Sequence, residues 1–289
     1  MTSKLEGIYT ARDLYKDVNE LYEGKVHKQY TTKVFPDLDK IFKIVKPMFI
    51  VVTGVPNSGK SSLTYDIAMA LAKNSGFKFV IYSPEHSLAM NLKRMIEKFC
   101  MKPFDTFMEH RLSKNEMVDA LAFIQEHFYF IDKLGESPDI KWILEKAQVC
   151  VDEFNIDCLI ADPYNEIAGR QKPFASETEH ISALISDIKR FNRETNTVTF
   201  LIAHPNKQIR DSETGMFKVK SLYEISGSSH FNNKADVGII VTRDYENEHT
   251  EIRIAKVREL DLMGNIGETI VEWDNYTRCF HPKKYKEEH

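Results

Sequence analysis

The chain has few cysteines and no C-x-x-C pair: Cys100, Cys150, Cys158 and Cys279 are scattered over 289 residues. That argues against a zinc ribbon and a disulfide framework, and a reducing compartment fits best. No apolar run approaches the roughly 18 residues needed to span a bilayer. The N-terminus, MTSKLEGIYTARDLYKD, lacks the apolar core of a signal peptide. A cytoplasmic protein with no membrane partner is therefore expected. Charge of one sign is also scarce. A net charge of −4 neither announces a nucleic-acid binder nor excludes one, because local basic loops can act against an acidic body. Low-complexity tracts, internal repeats and long Gly/Ser linkers are missing, which leaves one large domain or two small ones.

What is present starts with FIVVTGVPNSGKS over residues 49–61. An apolar β-type run ends in G-x-x-x-x-G-K-S and leads into a helical pattern, the context a phosphate-binding P-loop requires. Gly54, Val55, Pro56, Asn57, Ser58, Gly59 and Lys60 form a turn whose backbone N–H groups can curl around a phosphate. The helix opened by Ser61 and Ser62 aims its positive end at the same place. Lys60 reaches the β/γ-phosphates, and the Ser61 hydroxyl is placed to ligate Mg²⁺. Gly54 and Gly59 permit the close approach.

From residue 48 onward strands and helices alternate. The apolar patterning predicts strands at 49–53, 78–83, 128–131, 157–162, 197–203, 236–242, 250–257 and 268–273. Helices are predicted between the earlier ones. Ser137-Pro138 reads as the cap of a helix near 138–154, and Ser176 with Glu179 as a capping box for 177–194. Continuous apolar strands between amphipathic helices predict an α/β fold with a buried, mostly parallel sheet. The last strands follow one another without helices and predict an antiparallel extension. Ahead of this, Thr10 and Asp13 begin a short amphipathic helix with Leu14, Val18, Leu21 and Tyr22 on one face. Residues 24–36 read as a connector. The domain expectation is a linker helix and connector over 1–35 and an ATPase domain over 36–289.

Four further sites narrow the chemistry. Asp162 closes the strand 157–162 and suits a water-mediated Mg²⁺ contact; the alternative is a helix-capping Asp. Glu85 ends the strand after the P-loop helix, where a carboxylate can deprotonate an attacking water, pointing to hydrolysis; alternatively it is a first-turn acid of helix 87–100. His204 ends the strand 197–203 and lands near the γ-phosphate, or is merely a polar strand end. Lys256 and Arg258 lie two apart on a strand and face the same way. Such a pair suits an arginine finger for a neighbour's nucleotide, or else a solvated edge strand.

Taken in order, TGVPNSGKS, SPE, IADPYNEI, IKRFN–FLIAHP, LYEISGSSHFNNKADVGIIVTRD and KVR followed by IGE resemble the RecA-like hexameric helicases of the DnaB type (superfamily 4). The match is closest to the helicase half of Twinkle proteins and related phage primase-helicases. It spans about residues 48 to 275. The resemblance implies a RecA-like fold, ATP and Mg²⁺ as cofactors, single-stranded DNA as partner, and a homo-hexamer with sites between subunits. It implies catalytic roles for Lys60, Glu85, His204, Lys256 and Arg258, with His204 as γ-phosphate sensor. Arg243 and Trp273 sit where relatives sandwich the nucleotide base. Two loops then face DNA, about 166–176 with Arg170 and Lys172, and about 206–221 with Lys207, Arg210, Lys218 and Lys220; read alone, they are ordinary solvated loops. Fewer than about 50 residues precede the P-loop strand, too few for the primase-type region usual in Twinkle-like proteins. A separate primase or loader, a phage source and a bacterial host cytoplasm are the resulting expectations. Relatives usually have Pro-Gly-Glu-Leu before the first strand, where this chain has Pro47-Met48-Phe49. A RecA/RadA-like filament ATPase without unwinding activity is the alternative reading. A small-molecule kinase is a third, opposed by Glu85 and the late cationic pair.

Overall fold

A strand that is apolar at every position needs cover on both faces, and the topology supplies it. The structure, a computed structural model, describes residues 8–24, 27–133, 138–167, 176–205, 219–225 and 229–283. Its strands are β1 Met48–Thr53, β2 Phe79–Tyr82, β3 Phe128–Ile131, β4 Cys158–Ala161, β5 Val198–Ala203, β6 Val237–Asp244, β7 His249–Val257, β8 Gly267–Asp274 and β9 Cys279–Pro282. Its helices are α1 Tyr15–Tyr22, α2 Pro36–Ile41, α3 Lys60–Ser75, α4 Leu88–Cys100, α5 Lys114–His127, α6 Ile140–Phe154, α7 Glu177–Thr195, α8 His230–Lys234 and α9 Leu260–Met263. One sheet runs in the order β3-β2-β4-β5-β1-β6-β7-β8-β9. It is parallel from β3 through β6 and antiparallel from β6 to β9.

β1 shows why the fold class was readable. All six of its residues are buried. Ile50 and Val52 join the core under α3, α4 and α5, while Phe49 and Val51 join a second core under α6 and α7. The Ser176–Glu179 capping box forms and starts α7. For α6 the cap differs from expectation: Asp139 accepts from the Trp142 N–H at 2.9 Å, and Ser137 lies outside the described residues. An Asp directly ahead of the first turn is a strong N-cap, and Asp139 takes that place. The N-terminal helix also starts later than expected. Thr10 and Asp13 do exchange hydrogen bonds, but the helix proper begins at Tyr15 after Leu14. None of its residues is buried. In the segment read as a connector Tyr30 bridges Ile44. Phe35 and Leu38 lie in the core. β9 was not predicted; its four residues CFHP carry little strand signal, and it pairs only with β8.

β1 is fastened at its entry by Asp236. This buried carboxylate accepts from the Phe49 N–H at 2.9 Å, from Lys189 Nζ at 2.6 Å and from Arg258 Nε at 2.8 Å. Removing this carboxylate leaves two cations facing each other and a strand N–H unpaired. Asp236→Ala is expected to lower unfolding stability by about 3 kcal/mol or more, the scale of a broken buried ion pair. Urea denaturation of the variant checks this, and a loss below about 1 kcal/mol, the range of an exposed ion pair, contradicts it.

Candidate active site

The parallel strands point their carboxyl ends at one edge, where α/β sheets gather ligands. β1 ends at Thr53, and the chain turns through Gly54 to Gly59 before α3 begins at Lys60. The turn is too tightly enclosed for side chains at either glycine. A Cβ on Gly54 would stand 2.2 Å from the Val241 carbonyl oxygen, and one on Gly59 2.7 Å from the Phe280 ring. Gly59 also holds φ +94 as the N-cap of α3, with no side chain capping the helix. The first N–H groups of a sixteen-residue helix therefore open toward the turn.

Around this turn lies a cleft of about 660 Å³. Its walls carry Lys60, Ser61, Glu85, Asp162 and His204, together with Arg243 and Trp273. These residues come from distant parts of the chain, and the sheet order brings them together. Pro56, Asn57, Gly59 and Ser62 also line it. Lys60 Nζ donates to the carbonyls of Gly54 and Val55, both at 2.9 Å. Burial lowers its pKa to about 8, against the pull of Asp162 and Glu85. Asp162 is raised to about 6 by burial, although Ser61 and Tyr65 donate to it. The Tyr65 hydroxyl reaches Asp162 Oδ2 at 3.2 Å. His204 Nε2 stands 4.0 Å from Glu85 Oε1, and its backbone N–H donates to Asn165.

Among the described residues several buried polar atoms here have no partner, including Thr53 Oγ1, Ser58 Oγ and His204 Nδ1. Buried polar groups ordinarily find partners, so these atoms, the open helix end and a desolvated lysine fit a polyanion. Among the described residues no group of three or more His, Cys, Asp or Glu forms a metal cage. Mg²⁺ is commonly held by one or two protein oxygens plus substrate phosphates; Ser61 and Asp162, which line the cleft, are oxygen donors of the kind that would hold it.

Arg243 and Trp273 meet at the far side of the cleft, with the guanidinium carbon 5.7 Å from the indole centroid. Lys256 and Arg258 lie elsewhere. Lys256 donates to the Asn232 carbonyl. Arg258, one residue beyond β7, adds bonds to the carbonyls of Asn233, Lys234 and Ala235. Neither lines the cleft of its own chain. Of the expected DNA contacts, Arg170, Lys172, Lys207, Arg210 and Lys218 lie outside the described residues. Lys220 is exposed, and its N–H donates to Glu224.

The sequence reading missed Tyr65, Arg94, Lys98 and Arg278, which also line the cleft. Arg94 and Lys98 are four apart on α4, so helical spacing places both on one face. Tyr65 is likewise one turn beyond Ser61. The periodicity was available; what it lacked was knowledge of which face meets the P-loop.

A family model described as "DnaB-like helicase C terminal domain" matches residues 31–281. The "Twinkle homolog protein, chloroplastic/mitochondrial" of Arabidopsis thaliana is 31% identical over 285 residues, covering 95% of this chain and 40% of that protein. A "Probable plasmid replicative DNA helicase" of Chlamydia trachomatis is 22% identical over 244 residues, 82% of this chain and 51% of that protein. The chain thus spans about half or less of the length of these curated relatives. Among solved structures, one described as an "ATPase Domain" superposes with TM-score 0.77 at 18% identity, covering 96% of this chain and 100% of that one. "The Structure Of A DnaB-Like Replicative Helicase And Its Interactions With Primase" gives TM-score 0.74 at 18% identity, covering 96% and 68%. Both are likenesses of fold.

The electrostatics of the cleft predict one titration. Burial first, then repulsion from Lys60, pushes the His204 pKa below the usual histidine range, and Glu85 opposes this. NMR titration of the nucleotide-free protein is expected to find His204 neutral at pH 7. Lys60→Ala removes one lowering cause, so the midpoint should rise; Glu85→Gln removes the raising one, so it should fall. Midpoints that ignore both substitutions contradict the arrangement.

Proposed function

The chain belongs to the DnaB-like helicase C-terminal domain family, and from that premise we propose that it is the motor of an ATP-dependent replicative DNA helicase. It moves along single-stranded DNA and unwinds duplex as a homo-hexameric ring with ATP sites between subunits. The observation that carries this reading is the convergence of Lys60, Ser61, Glu85, Asp162 and His204 on one cleft while Arg258 stays outside it. Family membership favours this reading over a filament-forming recombination ATPase and over a small-molecule kinase.

In this reading Lys60 leaves the Gly54 and Val55 carbonyls for the β/γ-phosphates. Ser61 and, through water, Asp162 hold Mg²⁺, which when bound neutralises charge on the phosphate oxygens. Glu85 takes the proton of the attacking water. His204, beside Glu85, senses the γ-phosphate and passes its state to the strand-end loop carrying the DNA contacts. Arg170, Lys172, Lys207, Arg210, Lys218 and Lys220 follow the DNA backbone. Arg243 and Trp273 hold the base. Lys256 and Arg258 serve the neighbouring subunit's site. The exposed face of α1, with Val18 at 57% and Tyr22 at 89% exposure, docks on a neighbour. A separate primase or loader is the proposed further partner. Cytoplasmic residence in a phage-infected bacterium is proposed on the same footing.

Glu85→Gln is expected to retain ATP binding and lose hydrolysis by about 100-fold or more, the scale of a lost general base. Turnover near that of the parent, measured by phosphate release with single-stranded DNA, makes Glu85 structural. The between-subunit arrangement has its own test. Arg258→Ala should keep ATP binding and lose about 1,000-fold in turnover, the scale of an arginine finger. Mixing it with Lys60→Ala subunits creates interfaces that pair an intact P-loop with an intact Arg258, so partial activity should return. No recovery despite proven subunit exchange rules out the arrangement.

A further inference from the structure

β9 is an edge strand. It pairs with β8 on one side and turns its other edge toward the helices α3 and α4. Edge backbone groups buried in this way need partners, and two side chains supply them. Asp66 of α3 accepts from the Phe280 N–H at 2.9 Å through Oδ2 and from Lys98 Nζ at 2.7 Å through Oδ1. Lys98 of α4 also donates to the Arg278 carbonyl at 3.1 Å. Both side chains are buried, Asp66 at 7% and Lys98 at 4% exposure. The pair thus takes the place of a further strand.

What the hairpin β8–β9 carries gives this pair its consequence. Phe280 covers Gly59 of the phosphate turn. Trp273 packs edge-on against Phe280 at 5.0 Å between centroids. Arg243 and Lys98 each stand 5.7 Å from the Trp273 ring. A buried ion pair is weak as a source of stability, because apolar side chains of similar volume often do as well. Apolar side chains, however, offer nothing to the Phe280 N–H or the Arg278 carbonyl.

We propose that the Asp66–Lys98 pair positions the base platform of the nucleotide site: it fastens the β8–β9 hairpin to the P-loop helix and so sets Trp273 at a fixed distance from the phosphate cradle. Lys98 also borders the cleft, but its ammonium is buried and taken up by Asp66 and the Arg278 carbonyl, so both residues act through the hairpin as positioning residues. The proposal rests on the nucleotide reading above and adds a physical link between base and phosphate recognition.

The test uses the full chain with Trp142→Phe, which leaves Trp273 as its single tryptophan, since the sequence has two. ATP and inorganic tripolyphosphate, each with Mg²⁺, are titrated by calorimetry, and Trp273 emission is followed. In Asp66→Leu/Lys98→Met, ATP affinity should fall about tenfold, the scale of a lost stacking and cation–π contact. Tripolyphosphate affinity should stay within about twofold, and quenching of Trp273 by ATP should be lost. Lys98→Arg, which can still bond Asp66, should keep quenching and most of the affinity. If the double variant does not fold, as judged by circular dichroism, Lys98→Met alone is read by the same criteria. Unchanged ATP affinity and quenching in a folded variant overturn the proposal, as does an equal loss for both ligands, which would place the pair in support of the cradle alone. If the Trp142→Phe parent itself binds ATP no better than tripolyphosphate and shows no quenching, the base platform is wrong, and the proposal falls with it.

Discussion

The close approach of the phosphate turn to its neighbours is the constraint on which the rest depends. Gly54 lies against the Val241 carbonyl of β6, and Gly59 lies under Phe280 of β9. The Val241 backbone cannot give way as the end of a flexible side chain can, so the turn is held at the sheet edge by a contact that tolerates no Cβ at Gly54. This fixes the start of α3, and with it Lys60, Ser61 and Tyr65. The strands on one side of β1 then deliver the remaining groups. β5 carries His204, β4 carries Asp162 and β2 leads to Glu85, all at one edge because the strands are parallel.

The cleft also has a characteristic electrostatic state. Lys60 is lowered to about 8 and Asp162 raised to about 6, each by burial first. Burial moves both toward neutrality, and the mutual attraction of these groups does not fully compensate. A site in which lysine and carboxylate alike are under-solvated gains from an incoming ligand that carries both charges, as a nucleotide phosphate with its cation does. The lysine now donates to two carbonyls of its own turn, neutral acceptors whose place an anionic phosphate oxygen can take.

Much of this was legible beforehand, for identifiable reasons. Buried parallel strands read as unbroken apolar runs, so β1 to β6 were located within one or two residues. The Ser176–Glu179 box worked because both of its bonds are local. Sites at strand ends were legible because the fold class sends all such ends to one edge. The failures share a cause as well. β9 is short, contains a proline and a cysteine, and owes its place to Asp66 and Lys98, which lie far earlier in the chain. Nothing near residue 280 signals that. The α6 cap was misassigned because Ser-Pro-Asp is ambiguous: each of its three residues is an acceptable helix opener. Arg94 and Lys98 were hidden among α4 charges whose inward face only the tertiary packing selects.

The position of Arg258 bears on how neighbouring sites would communicate. Its guanidinium is bonded to Asp236 Oδ1, and the other oxygen of that carboxylate takes the Phe49 N–H at the entry of β1. Five residues further on, the chain reaches Gly54 and the phosphate turn. In the between-subunit reading proposed above, an oxyanion drawing Arg258 outward competes with Asp236 for it. The competition is felt at one end of a rigid strand whose other end holds this subunit's own nucleotide cradle. Lys189 shares the same carboxylate oxygen, so the Asp236 charge remains compensated when Arg258 turns away, and the strand entry stays bonded. In that reading Arg258 leaves for a neighbour without exposing a buried, unpaired charge behind it.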